Sequence, residues 1–160
     1  MPTPSDSPLA LALGRVPSGL YIVTTRHGGE TVGFLGSFVM QMGFSPPTVC
    51  VAVAKDRVAL ASIRAVGRFG LSVLDPESRG VMKGFLRRLP EGESPFDGLE
   101  LRETPSGTPV LAGALAWLDC RTTGEFETGD HVAVFAEVTE GRVLRAGEPS
   151  THVRRSGLGY

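Results

Sequence analysis

The chain has 160 residues, of which 41% are hydrophobic and 21% are charged, and this favours one globular domain with a substantial core. Its 16 basic residues nearly balance 17 acidic ones, for a formal net charge of −1. This balance excludes a globally basic surface, so we expect neither nucleic acid nor a membrane as partner.

The cysteines and the N-terminus bear on the compartment. Cys50 and Cys120 lie in apolar, strand-like runs without a CxxC or Cys/His spacing, which predicts two buried reduced thiols and no metal site. Residues 1–8 carry no basic side chain, and the apolar stretch that follows is too short for a signal or a membrane segment. We therefore expect a cytoplasmic protein.

The first quarter of the chain predicts a tail, a short helix and a hairpin. Residues 1–8 are expected to be a disordered tail before a domain over 9–160. Apolar residues recur at helical spacing over 9–16, and Pro17 ends that pattern. The β-branched run Leu20–Thr25 and the run Thr31–Val39 predict two strands around a Gly-Gly turn.

The remaining elements follow in alternation. The sequence predicts a break, a buried strand, a helix, a strand and a second helix, over residues 45–47, 48–54, 55–66, 69–74 and 76–89. Residues 90–108, rich in Pro, Gly, Glu and Ser, are expected to be irregular. Four more strands are predicted over residues 109–112, 114–122, 132–138 and 142–144. The pattern favours a mainly β fold, a small Greek-key barrel whose openings short helices cover.

One candidate ligand site is the run Gly33–Gln41. Gly36 lets a flat ligand approach the backbone, while Ser37 and Gln41 offer polar groups. Apolar walls come from Phe34, Leu35, Phe38, Val39 and Met40. This combination suits an aromatic heterocycle with polar edges. The alternative is an interior strand with a glycine bulge.

A second candidate is Lys55-Asp56-Arg57, between a buried strand and a helix. Asp56 is a reasonable N-cap, and two cations beside helix N-terminal amides can hold a phosphate. The alternative is a solvated loop with ordinary surface charges.

A third candidate is Gly129-Asp130-His131, at the start of a strand. The alternation places His131, Ala133, Phe135 and Glu137 on one face of that strand. His131 could donate a hydrogen bond to a ligand or titrate near neutral pH. The alternative is a structural histidine at a strand end.

Several familiar catalytic patterns are missing from the sequence. There is no GxSxG elbow, no Walker loop and no GxGxxG loop, so the sequence does not predict a Rossmann domain. The apolar runs around the cysteines are poor surroundings for a thiolate nucleophile.

Taken together, these segments resemble the flavin reductase-like, FMN-binding split-barrel family over residues 9–160. The resemblance rests on five segments: Ser18–Thr25, Gly33–Gln41, Ser45–Lys55, Phe69–Leu74 and Gly129–Val138. The Gly-Leu-Tyr-Ile-Val-Thr opening and the spacing from Gln41 to Pro46-Pro47 most resemble its rubredoxin-associated flavoprotein branch.

The resemblance implies a split-barrel homodimer with one FMN, or FAD, near the subunit interface. It places Leu35, Gly36, Ser37, Phe38, Val39, Met40 and Gln41 by the isoalloxazine ring, and Lys55, Asp56 and Arg57 by the phosphate. It places His131, the candidate catalytic residue, where the nicotinamide of NAD(P)H stacks. The segment 152–160 is expected close to the flavin.

Two departures from the family pattern alter the expected contacts. Many relatives have a Thr-Ala-Asn-Ser-like run where this chain has Leu35–Phe38, so backbone amides must supply more of the hydrogen bonds. Many also have a threonine where Ala59 stands, which puts more weight on Lys55 and Arg57 for phosphate binding.

The implied function is NAD(P)H-dependent flavin oxidoreductase, passing hydride to bound FMN and electrons to a second acceptor, such as a redox partner protein. The first alternative is an FMN electron carrier that a partner protein reduces. Two others are a barrel binding module without flavin and an oxidase of the pyridoxamine phosphate type. The latter would need more basic residues for a substrate phosphate.

Overall fold

The structure, a computed structural model, describes residues 6–159. Its helices are α1 (Pro8–Leu13), α2 (Val58–Val66) and α3 (Arg79–Met82), and 3₁₀ turns at Pro76–Ser78 and Lys83–Phe85 flank α3. Its strands are β1 (Tyr21–His27), β2 (Glu30–Gly36), β3 (Val39–Phe44), β4 (Pro47–Ala54), β5 (Arg68–Val73), β6 (Leu101–Glu103), β7 (Pro109–Leu111), β8 (Ala116–Glu127) and β9 (His131–Val143).

Seven strands form one antiparallel sheet in the order β2-β1-β5-β8-β9-β4-β3. Its two edge strands, β2 and β3, follow each other in the chain with only Ser37 and Phe38 between them. Three peptide steps span at most about 11 Å, so the sheet must roll until its edges approach each other. The edges are not paired with each other. This is a split barrel, as predicted, and the split lies at Ser37 and Phe38.

The β1–β2 hairpin forms at the predicted turn. Gly28 and Gly29 both have positive φ, 60° and 82°, which is the pattern of a type I′ turn. The predicted second strand, Thr31–Val39, is wrong at its end, because β2 ends at Gly36. Val39 begins β3, which pairs with β4 at the other side of the sheet.

The core lies on the inner face of the rolled sheet. β4 and β9 alternate, so that Val51, Val53, Val132 and Val134 are buried while the residues between them are half-buried. The inner face packs against α2, which buries Leu60 and Ile63. The predicted stop of this helix is confirmed, since Gly67 caps it in the left-handed region at φ 71°.

Several predicted element boundaries differ from the structure. α1 ends at Leu13 with Gly14 as C-cap, before Pro17. The helix predicted over 76–89 is interrupted and ends at Phe85, and the irregular segment 90–108 contains β6. The strands predicted over 132–138 and 142–144 are one strand, β9, because both pair with β8 across a shift in register between Asp119 and Cys120.

Two further predictions concern the N-terminus and the cysteines. Of the predicted tail, residues 1–5 lie outside the described residues, while Ser7 caps α1 and Pro8 is its first residue. Both thiols are free, but only Cys120 is buried. Cys50 is half-buried because its side chain points away from the core. Within residues 6–159, no helix is long and apolar enough to cross a membrane.

Candidate functional site

The split of the barrel is also a ligand-sized opening. The Phe38 carbonyl accepts a hydrogen bond from the Ala52 amide at 2.9 Å, which ties the connection to β4. Ser37 is only 7% exposed, and its hydroxyl bonds to no residue within 6–159. Ser37 lines a cavity, so this hydroxyl is placed to hydrogen-bond a ligand.

An apolar cavity of about 490 Å³ lies beside this connection. Leu35, Gly36 and Ser37 line it from the barrel, and Met82 and Leu86 line it from the α3 region. Residues of the C-terminal segment, including Val153, Arg154 and Leu158, line the rest. Its size and apolar lining suit a flat heterocycle, with the Ser37 hydroxyl as a polar contact.

His131 lies on the other side of the same connection. Its ring meets the Phe38 ring edge to face, with the centroids 5.6 Å apart. Its Nδ1 lies 2.8 Å from Asp130 Oδ1. This hydrogen bond lowers the pKa of Asp130 below its usual value. A carboxylate on one ring nitrogen fixes the orientation of the imidazole at the edge of the opening.

The cationic segment lies next to His131 because β4 pairs with β9. Ala54 is opposite His131 in the ladder, and the Lys55 amide donates to the Asp130 carbonyl at 3.0 Å. Lys55, Asp56 and Arg57 line a groove of about 630 Å³ with Asp130 and His131. The structure thus joins two of the predicted segments at one opening.

The side chains of this segment have distinct surroundings. Lys55 Nζ lies 3.3 Å from Glu127 Oε2, and both groups are exposed. The Arg57 guanidinium stacks over Phe34 at 4.9 Å from the ring centroid. The prediction that Asp56 caps the helix is wrong: Arg57 occupies the N-cap position, and no side chain caps α2.

Three of the predicted flavin residues lie elsewhere. Val39, Met40 and Gln41 belong to β3 and do not line the apolar cavity or the groove. Met40 is 66% exposed, and the Gln41 amide donates to the Gly43 carbonyl of its own strand at 3.3 Å. Leu35, Gly36, Ser37 and Phe38 are the part of the run that borders the site.

Arg154 is a site residue that residue-level reasoning missed. Its guanidinium lies over the Phe38 ring, 4.4 Å from the centroid. It lines the apolar cavity and also a smaller cavity of about 320 Å³, which Phe38 and His131 line as well. The family resemblance places the segment 152–160 close to the flavin, but no local pattern in the sequence distinguishes Arg154 within it.

These residues fit a flavin by their chemistry. The apolar cavity with the unused Ser37 hydroxyl suits the ring system, and Lys55 and Arg57 supply positive charge for a phosphate. The free thiols themselves do not suit redox chemistry, because burial raises the pKa of both, to about 12 for Cys120.

Comparisons with known proteins agree with this fit. Residues 13–157 match the model of the flavin reductase like domain. Diflavin flavoprotein A 1 of Synechocystis sp. is 42% identical over 97% of this chain and 27% of its own. Nitrilotriacetate monooxygenase component B of Mycobacterium thermoresistibile superposes with a TM-score of 0.83 at 30% identity, over 91% of this chain and 80% of that one.

A second similar structure is that of a named oxidoreductase. The Streptomyces globisporus NADH:FAD oxidoreductase SgcE6 superposes with a TM-score of 0.81 at 29% identity, over 92% of this chain and 87% of that chain. Fold and site thus define the flavin reductase-like class of split barrels. The chain belongs to the flavin reductase-like family. It spans about a quarter of the length of the curated relatives that it matches.

Proposed function

We propose that this chain is an FMN-binding, NAD(P)H-dependent flavin oxidoreductase that passes electrons to a second acceptor. One observation carries the proposal: the split of the barrel brings Ser37, Phe38 and His131 together beside the cationic segment Lys55–Arg57. These residues are far apart in the sequence, and they surround adjoining openings of the size that a flavin and a nicotinamide need.

Different residues bind different parts of the flavin. Leu35, Gly36 and Ser37 bind the ring system from the barrel side, and the Ser37 hydroxyl meets its polar edge. Lys55 and Arg57 hold the phosphate, with Asp56 between them at the groove. The flavin, when bound, supplies the hydride and electron chemistry that no side chain provides. His131, held by Asp130, orients the nicotinamide donor and acts neither as general acid nor as base.

FMN is the flavin that this chain itself favours. The cationic segment offers one phosphate site, at Lys55 and Arg57, which matches the single phosphate of FMN. FAD is the alternative, because the similar protein SgcE6 is an NADH:FAD oxidoreductase. The similarity to SgcE6 also supports a nicotinamide donor. We propose that residues 9–160 form this flavin-binding unit.

We propose that two copies of the chain associate through the outer face of the sheet. This outer face consists of half-buried or exposed residues that the ladder places side by side: Met40, Cys50, Ala52, Ala54, Phe126, Ala133 and Phe135. Met40 and Phe126 are 66% and 65% exposed, and nearby Phe44 is 89% exposed. An apolar face of this kind favours binding to a partner surface. In a homodimer, the second copy would lie next to His131.

The electron acceptor and the location are parts of the same proposal. The curated relatives carry the matching region within chains about four times as long, which favours a redox partner domain or protein as acceptor. This also keeps a second function open, an FMN carrier that a partner reduces. We propose a cytoplasmic location, which the free thiols of Cys50 and Cys120 support.

The absorbance spectrum of the purified protein tests the proposal. We expect a yellow protein, or one that gains bound-flavin absorbance with FMN, and rapid anaerobic bleaching on addition of NADH or NADPH. Bleaching only with a reduced partner protein would favour the carrier. A protein that binds no FMN or FAD would contradict both functions.

A further inference from the structure

The starting observation is a pair of arginines that are held in the same way on either side of His131. Arg57 stacks over Phe34 at 4.9 Å, and Arg154 stacks over Phe38 at 4.4 Å. Arg57 shares the cationic groove with His131, while Arg154 shares the smaller cavity with it. The opening around His131 therefore has a fixed guanidinium at each of two ends.

Neither of these guanidinium groups is neutralised by an acidic side chain within residues 6–159. The next residue, Arg155, does have an acidic partner, since its Nη2 lies 3.8 Å from Asp6 Oδ1. Asp130 also lines the smaller cavity, but its carboxylate is engaged by His131 Nδ1 at 2.8 Å. A half-buried, unneutralised arginine at a cavity is suited to a bound anion.

The backbone around Arg154 is anchored on both sides. The Arg154 carbonyl accepts from Arg15 Nη2 at 2.9 Å, and the Gly157 amide donates to the Ala10 carbonyl at 2.7 Å. A Cβ at Gly157 would lie 2.0 Å from Leu13 Cβ, so only glycine allows this approach to α1. The position of the Arg154 side chain is thus built by contacts between the C-terminal segment and α1.

We propose that Arg154 binds the diphosphate of a dinucleotide and thereby determines specificity at this site. Lys55 and Arg57 are already assigned to the flavin phosphate, so an unneutralised cation at the other end serves a second phosphate group. The diphosphate belongs to the nicotinamide donor, or to FAD if the flavin phosphates lie at Arg154 and not at Lys55 and Arg57. The inference rests on the proposed function, and the two sources are separated by measurement.

The test compares ligands with and without a diphosphate in the variants Arg154→Gln and Arg154→Lys. One arm measures KM and kcat for NADH and for N-benzyl-1,4-dihydronicotinamide, which has a dihydronicotinamide ring without any phosphate. The other arm measures Kd of FAD and FMN for the apoprotein by flavin fluorescence. Arg142→Gln, at an exposed arginine of β9 that lines neither cavity, makes the same change of charge and is the matched control.

We expect Arg154→Gln to raise KM for NADH by about tenfold or more, as for loss of a charged hydrogen bond. Its kcat and its KM for the phosphate-free donor should be unchanged. Arg142→Gln should have the constants of wild type, and Arg154→Lys should be intermediate. Gly157→Ala should reproduce the effect by displacing the segment. A loss of FAD affinity with unchanged FMN affinity supports the proposal with FAD as the source.

Two results would overturn the proposal: equal losses for both donors and both flavins, or no change in either arm. Failure of the proposed function is a separate outcome. It would show as wild-type protein that binds flavin but is reduced by neither donor. In that case the comparison of FAD with FMN still decides the role of Arg154.

Discussion

The rings of Phe38 and His131 meet edge to face, with their centroids 5.6 Å apart and their planes at 66°. Phe38 lies at the split between the two sheet edges, and His131 begins the strand next to β4. This contact joins the part of the chain that borders the apolar cavity to the part that borders the cationic groove. The site depends on the rolling of the sheet.

The role of His131 can be separated from that of the flavin-binding residues. We expect His131→Ala to slow anaerobic flavin reduction by NADH about tenfold, because the donor loses an orienting contact. The Kd of FMN should remain within about twofold, since the residue is assigned to the donor. Stopped-flow absorbance and a fluorescence titration measure the two quantities. His27→Ala, at an exposed histidine that ends β1, is the control. Equal losses in both would show that His131 is structural.

Lys55 and Arg57 are expected to control flavin affinity with little effect on stability. Their double replacement by Ala should raise the Kd of FMN about tenfold to hundredfold, by loss of charged phosphate contacts. The Lys55–Glu127 pair is exposed, so the melting temperature should change little. Arg87→Ala, at an exposed arginine that pairs with Glu93, is the control. Unchanged FMN affinity in the double variant would place the phosphate elsewhere.

Local patterns predicted much of the fold. β1, β4 and α2 are defined by short-range features: a β-branched run, an apolar run and a helix that ends at Gly67. The break at Ser37 and Phe38 was missed because the run is apolar on both sides of it. Which edge of the sheet each half joins is decided by long-range pairing, and the local sequence does not encode that pairing.

The candidate site, too, is only partly predictable from the local sequence. Lys55–Arg57 and His131 are brought together as expected, because Ala54 pairs with His131. Val39, Met40 and Gln41 follow the misplaced strand end and turn out to lie on an edge strand. Arg154 was missed because its place depends on the pairing of Ser18 with His152 and of Gly157 with α1.

A buried polar cluster should make the stability depend on pH. Asp119 is 1% exposed and accepts hydrogen bonds from Thr104 at 2.7 Å and from Ser106, with Arg68 Nη2 3.4 Å from its other oxygen. Burial alone would raise the pKa of Asp119, but the bonds from Ser106 and Thr104 lower it below its usual value.

Because the pKa of Asp119 is lower in the folded state, the ionised carboxylate stabilises the fold at pH values above its unfolded pKa of about 4. This stabilisation is lost as the pH falls through the folded-state pKa. We expect Asp119→Asn to lower the free energy of unfolding at pH 7 by about 2–4 kcal/mol. As the pH is lowered from 5 to 3, the free energy of unfolding should also fall less in the variant than in wild type. Urea unfolding measures this, with exposed Glu148→Gln as control. Parallel pH profiles would contradict the assignment.

Association through the outer face can be tested by charge. Ala133→Glu introduces a carboxylate at the centre of this face, where a second copy would have to bury it, so we expect the homodimer to dissociate. Light scattering after size exclusion measures the mass. Val143→Glu changes an exposed residue at the far end of the same strand and should leave the mass unchanged. A wild-type monomer would rule out the proposed association.

The two thiols give an independent measure of the same face. Burial raises the pKa of both thiols, to about 12 for Cys120, while Cys50 is half-buried on the outer face. We therefore expect Cys120 to react with a disulfide reagent only in urea, and Cys50 to react in the folded protein. Cys50 should react more slowly as protein concentration rises, because association covers it, whereas in Ala133→Glu its rate should not depend on concentration. Cys50→Ser should abolish the reaction of the folded protein. A rate in wild type that is independent of concentration across the range where light scattering detects the dimer would show that the copies meet through another surface.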